Sequence, residues 1–190
     1  MTRMTTNQKT EGSAESATSR AGKYLTFRLA AEEYGLRILK VREIIGLMPI
    51  TKMPEAPAYI RGIINLRGRV IPVLELRARF GMEAIPDNEE TCIIVVDLSA
   101  GGRSTLMGIL VDAVSEVLDI KGDEIQDPPS MGTDHECDFV LGIGKVKGGV
   151  KILLDIDKVI TTTDVSSLES ITAPEMENQG SEMAEVEMAV

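Results

Sequence analysis

Apolar and polar residues alternate along this chain in short runs, the period of two expected of strands with one buried face. YLTFRLA (24–30) alternates Leu25, Phe27 and Leu29, YGLRI (34–38) alternates Tyr34, Leu36 and Ile38, and AEE lies between them as a short turn. That is the pattern of a hairpin. GIINL, RVIPVLEL, TCIIVVDL, TLMGILVDAVSEVLDI and VKILLDI predict further strands, separated by the turn clusters PEAPA, PDNEE, SAGGRS, KGDEIQDPPS and KGG. Pro72 removes one ladder donor, so its strand should lie at an edge there or carry a bulge. Helix should be minor: a turn in APAYIRG, another in LRARFG, and a terminal turn or two in DIDKVITT. Strands this short and this closely spaced indicate small barrels or a sandwich.

The pattern also repeats. YGLRILKVREII (34–45) lies over MGILVDAVSEVL (107–118) without a gap, matching Gly35 to Gly108, Leu36 to Ile109, Val41 to Val114, Glu43 to Glu116 and Ile44 to Val117. GIINLRGRVIPVLEL (62–76) lies over GIGKVKGGVKILLDI (142–156), matching Gly62 to Gly142, Arg67 to Lys147, Gly68 to Gly148, Leu74 to Leu154 and Glu75 to Asp155. Glycines and acids agree in the same order in both blocks, which chance matching of hydrophobics does not produce. Two related β-modules are therefore expected, roughly 23–86 and 90–162, with exchange of strands between them left open. Gly68 and Gly148 fall where hairpin turns require positive φ. Arg61 and Arg69 read as solvated hairpin charges. Arg67 should point away from Leu66, toward a face the second module covers, where it needs an anionic partner. Glu43 is the candidate, with Glu116 and Lys147 as the repeat's own copy of the pair.

Composition narrows the class. The 190 residues are 43% hydrophobic, enough for a real core, and no apolar run approaches the length of a membrane span. The net charge is −10, but residues 164–190 hold seven acids and no Lys or Arg, while residues 1–22 hold three bases and two acids, leaving −4 for the body. With three Phe, three Tyr and no Trp, that body lacks the basic, aromatic-studded surface of most nucleic-acid binders. The tails 1–22 and 163–190 read as too polar to fold alone, leaving 23–162 as the ordered part. Cys92 and Cys137 read as free thiols, and no leader or spanning segment is legible, which suggests a cytoplasmic protein.

Catalytic chemistry finds no support. His135, the sole histidine, sits in a polar loop, and Thr51, Ser115 and the cysteines have no motif that sets them beside a base. GIGKVKGG lacks the spacing of a phosphate loop and leads into a strand. Glu43, Glu75, Asp97 and Asp155 lie in or near strands, where structural pairing is the expected role. No metal or cofactor is expected. An oligonucleotide- or oligosaccharide-binding barrel and a carboxylate-based hydrolase stay open, the first tested by a salt-sensitive gel shift and the second by turnover screening.

YLTFRLAAEEYGLRILKVREIIG, ITKMPEAPAYIRGIINLRGRVIPVLELRARFG, GILVDAVSEVLDI and GIGKVKGGVKILLDIDKVI together resemble the CheW family of chemotaxis coupling proteins over about residues 23–162, most specifically in YIRGIINLRG. The resemblance implies two small five-stranded β-barrels packed around a shared hydrophobic groove, a short C-terminal helix and no catalysis. It implies two partners: methyl-accepting chemoreceptors, whose helical hairpin tip would enter the groove, and the regulatory domain of the histidine kinase CheA. Nucleic-acid binding and direct membrane insertion are not implied; recruitment to membrane-associated receptor arrays is. On this reading Ile38, Val41, Ile44, Val114 and Val117 line the groove. Gly62, Asn65, Arg67 and Gly68 face the kinase, and Glu43–Arg67 is a structural ion pair. The acidic tail lies outside the resemblance.

Overall fold

The computed structural model describes residues 19–100, 103–128 and 138–160, so the readings made for His135, Cys137, residues 1–18 and the tail 163–190 lie outside the described residues. The expected N-terminal tail ends earlier than 22, because Arg20 is buried, donating to Leu141 O and to Asp127, each at 2.6 Å, and Gly22 already belongs to the first strand. β1 (Gly22–Leu29) and β2 (Glu32–Arg37) form the first hairpin. Its turn falls on Ala30 and Ala31, earlier than the expected AEE. Ala30 adopts a φ of 55° with its N–H held by the Asp112 carboxylate, which frees Glu32 and Glu33 to pair with Leu29 and Arg28. A 3-10 turn at Ile38–Lys40 leads to β3 (Val41–Gly46). A second hairpin, β4 (Ile60–Leu66) and β5 (Arg69–Glu75), ends in a single helical turn, α1 (Leu76–Arg79). Then come β6 (Cys92–Ala100), β7 (Arg103–Val111) and β8 (Ala113–Ile120), the short β9 (Ile125–Gln126), the hairpin β10 (Val140–Val146) and β11 (Gly149–Leu154), and α2 (Ile156–Val159).

The strands build two sheets, ordered β8-β1-β2-β11-β10-β9 and β3-β6-β7-β5-β4. Neither sheet follows a half of the sequence. β1 and β2 join the strands of 113–154, whereas β6 and β7 join β3, β4 and β5. The chain crosses between sheets at Ile38–Lys40 and again at Asp112. Exchange preserves the repeat. β5 runs parallel to β7 with Val73 opposite Gly108 and Leu74 opposite Ile109, and β11 runs parallel to β2 with Leu153 opposite Gly35 and Leu154 opposite Leu36. Each pair is the repeat mate of the other. The matched glycines are matched because the strands approach closely there: a Cβ on Gly108 would come 2.7 Å from Ile93 Cγ2, and one on Gly35 2.9 Å from Leu153 Cδ2.

Both sheets curl. β3 and β4 stand at opposite ends of their sheet, yet Thr51, beyond β3, exchanges both backbone hydrogen bonds with Ile63 of β4, at 2.9 and 2.8 Å. In the other sheet, residues 121–124 alone separate edge strand β8 from edge strand β9, which draws those edges together. Curling creates three cores instead of one. Ile64, Ile71, Val73, Ile93, Val95 and Leu110 fill the five-stranded sheet, and Tyr24, Ile120, Ile125 and Leu153 fill the six-stranded one. The largest core lies between the sheets. There Phe27, Tyr34, Phe80 and Phe139 form a continuous run of rings with centroids 5.9, 5.8 and 5.2 Å apart, so all three phenylalanines of the chain serve one seam.

Three local expectations change. β9 sits inside the expected turn cluster KGDEIQDPPS and makes that sheet six-stranded, because Ile125 is buried and its backbone pairs with Gly144. APAYIRG is not helical: Ile60 N–H donates to Pro57 O in a turn, and burial of Ile60 in the intersheet core draws it into β4. β5 is an interior strand, and its pairing with β7 begins only at Val73, so the donor missing at Pro72 interrupts no described bond to β7. The bulge lies opposite, on β4 between Ile60 and Gly62.

Candidate functional site

The five groove candidates divide into two kinds. Ile38, Val41 and Val114 are partly buried against the intersheet core. Ile44 and Val117 are 44% and 48% exposed. β3 and β8, which carry four of the five, are repeat mates and edge strands of different sheets. Cys92 brings their ends near one another: it pairs with Gly46 of β3 and hydrogen-bonds the backbone of Val114 at the start of β8. Burial pushes its thiol pKa up, a shift this hydrogen bond only partly opposes. Ile44 and Val117 are thus exposed at repeat-equivalent positions on the two edge strands, while the other three candidates are partly buried.

The kinase-facing candidates gather at the β4–β5 hairpin. Arg67 and Gly68 have φ values of 53° and 86°, and positive φ at both central residues is what a two-residue turn of matching twist requires. Asn65 Oδ1 accepts the Gly68 N–H at 2.8 Å, which holds the turn closed. Gly62 sits at the β4 bulge with a φ of 146°, where a Cβ would collide with the Thr51 carbonyl that seals the sheet. Arg67 is not covered by the other sheet. Its side chain is 78% exposed because it projects from the tip of the turn, and from there it reaches Glu43 on β3 with two guanidinium contacts of 2.9 and 3.3 Å. The pair spans the two edges of the five-stranded sheet.

The repeat copy of that pair is absent: no ion pair joins Glu116 and Lys147, both of them exposed. A lysine ammonium lacks the two-pronged donor with which Arg67 grips a carboxylate. Arg61 is no solvated charge either. It is partly buried between Glu75 at 3.0 Å and Asp87 at 2.6 Å. Arg69 remains exposed.

Two ionic clasps were not legible in the sequence, and both stand at the crossovers. At the second crossover, Asp112 accepts from Arg77 of α1, with Arg77 Nε 2.7 Å from Oδ1, and also from Ala30 N–H at 2.7 Å. Both side chains are nearly inaccessible, at 9% and 12%. Burial alone would raise the Asp112 carboxyl, but hydrogen bonds from Arg77 and Ala30 and the nearby arginine charges outweigh it and hold the pKa below the usual value. At the first crossover, Lys40 meets Asp157 of α2 at 2.6 Å, and Asp157 accepts the Ser99 N–H at 2.9 Å. The signs are exchanged between the two sites, the acid sitting on the connector in one and on the helix in the other. Arg77 aligns with Asp157 and Asp112 with Leu39, so the only signal was one mismatch inside a matching block and another just past the end of the second block.

The remaining strand carboxylates are occupied structurally. Asp97 is bound by Ser104 and Arg42, whose hydrogen bonds lower its pKa, and Asp155 caps α2 through the Asp157 N–H at 3.2 Å. Among the described residues no group of three or more His, Cys, Asp or Glu is placed to hold a metal, and no helix is long and apolar enough to cross a membrane.

Residues 23–164 match the CheW-like domain. The chain belongs to the CheW-like family. It is 36% identical over 151 residues to the chemotaxis protein CheW of Rhizobium meliloti (strain 1021), covering 80% of this chain and 95% of that one. It is 34% identical over 148 residues to chemotaxis protein CheW of Klebsiella aerogenes, covering 78% and 87%. Among solved structures it is similar to the scaffolding protein TtCheW from Thermoanaerobacter tengcongensis, with a TM-score of 0.66 and 38% identity over 76% of this chain and 95% of that one. The family match spans both sheets and both crossovers, so the exchanged-strand arrangement falls within a single CheW-like domain.

Proposed function

We propose that the chain is a non-catalytic adaptor of bacterial chemotaxis that couples methyl-accepting chemoreceptors to the histidine kinase CheA. Relatives that bear the names chemotaxis protein CheW and scaffolding protein support this role. The observation that carries it is the pair of exposed aliphatics, Ile44 and Val117, at repeat-equivalent places on edge strands beside Ile38, Val41 and Val114. Such a strip suits the apolar face of a receptor's helical hairpin tip. The β4–β5 tip, with Gly62, Asn65, Arg67 and Gly68, is assigned to the kinase's regulatory domain, its exposed guanidinium serving as an interface anchor. Ionic occupation of Glu43, Glu75, Asp97 and Asp155 supports a role without acid–base chemistry. The adaptor works in the cytoplasm at receptor arrays without inserting into the bilayer, and its acidic body disfavours nucleic acid as a partner.

Co-sedimentation with receptor-bearing membranes and pull-down with the kinase test the assignment. Ile44→Asp and Val117→Asp should each weaken receptor binding at least tenfold while kinase binding persists, since a charge in an apolar contact is strongly unfavourable. Arg67→Glu should do the reverse. Receptor binding untouched by both aspartates in folded protein would refute the groove.

A further inference from the structure

Leu39 is 89% exposed, well above every other large exposed hydrophobic among the described residues. It occupies the first crossover, and its neighbours Arg37 and Lys40 wall a cavity of about 250 Å³ floored by Leu141, Leu154 and Ile156, with Asp155 and Asp157 completing the lining. α2 forms one side of this cavity, and the described chain ends just past α2 at Ile160. The next segment of the chain is therefore tethered beside the cavity. After Thr161, Thr162 and Thr163 it reads DVSSLESITAP (164–174). Val165, Leu168 and Ile171 recur every third residue on one face of a helix, Asp164 is a favoured N-cap residue, and Pro174 marks a stop.

We propose that residues 164–173 of the same molecule form a short amphipathic helix on this cavity, with Leu168 entering it and Leu39 covered by the flanking apolar residues. Two arguments select this occupant. Residues 161–163 span at most about 10 Å when extended, which confines the segment to the neighbourhood of α2. Its aliphatic stripe matches an aliphatic floor. A helix of about ten residues is marginal in water by itself, whereas a tethered one meets its site at an effective concentration on the order of millimolar. Helix formation therefore reports docking.

Amide hydrogen exchange on the full chain tests the proposal. Peptides covering 164–173 should exchange at least tenfold more slowly than those covering 177–190. Leu168→Glu should remove that protection, and so should Leu39→Asp, a substitution at a solvent-facing position that leaves exchange in β1 and β2 unchanged. Met183→Glu, outside the stripe, should leave it in place. Equal exchange of the two tail regions would overturn the proposal, as would protection that survives both Leu168→Glu and Leu39→Asp. Protection that appears only as protein concentration rises would assign the cavity to a second copy and overturn intramolecular docking.

Discussion

Single ion pairs in this molecule differ in worth because their solvent differs. Glu43–Arg67 was readable from spacing and charge, but its exposure was not: a guanidinium on a two-residue turn stands clear of both sheets, and 78% of its surface faces water. Glu43→Ala and Arg67→Ala should therefore each cost only about 0–1 kcal/mol in urea unfolding. Arg77–Asp112 is the opposite case. Removing either partner leaves a buried charge unpaired, so Arg77→Ala or Asp112→Ala should cost about 3–5 kcal/mol. Sequence could not reveal this pair, because its members approach only after two strands change sheets. The direction of the Asp112 shift adds a pH test. A carboxyl held below its unfolded value of about 3.9 contributes stability that is present above that pH and lost as pH falls through the lowered folded value. Wild-type unfolding midpoints should thus drop as pH falls below about 4, and Asp112→Asn, already weaker at pH 7, should drop less. Parallel acid limbs in the two proteins would rule the linkage out.

At the scale of elements, alternation located the first hairpin and most strands, and the internal repeat located the positions at which strands meet. Gly35, Gly62, Gly68 and their mates matched for a reason that is now spatial. What alternation could not supply was β9, two residues recognisable only through the neighbours of Ile125, or the curl that joins Thr51 to Ile63. The curl predicts a ranking among glycine substitutions. Gly68→Ala must adopt a φ of 86° but meets no atom within 4 Å, so its penalty is one of backbone strain, about 1–2 kcal/mol. Gly62→Ala faces similar strain and also drives a methyl into the backbone carbonyl that closes the sheet. It should be clearly the more destabilising by urea denaturation, and the amide of Ile63 should lose exchange protection with it. A Gly62→Ala protein as stable as Gly68→Ala would mean that the Thr51 contact contributes little to closure.

The whole molecule is shaped by the exchange. Sequence repetition indicated two modules, and the eye divides such a chain near residue 88, yet each sheet needs strands from both sides of that point. β1 and β2 bury Tyr24, Leu25 and Leu36 against elements that arrive after residue 113, and β7 completes a sheet begun by β3. The run of rings from Phe27 to Phe139 crosses the same divide. A chain cut in the loop 83–90 should therefore give two fragments that cannot fold separately, although each contains most of one repeat. Fragment 19–86 would expose an unpaired β2 edge and half of the intersheet core, and fragment 90–160 would lack the two strands that stand between β8 and β11. Each alone should show no cooperative thermal transition by circular dichroism, and an equimolar mixture should recover one. The intact chain, in which all three cores share strands, should unfold in a single step with coincident transitions by circular dichroism and by tyrosine fluorescence. Two resolved transitions, or a cooperative melt from fragment 19–86 by itself, would mean that the sheets fold as independent units and that the crossovers at Ile38–Lys40 and Asp112 merely tie them together.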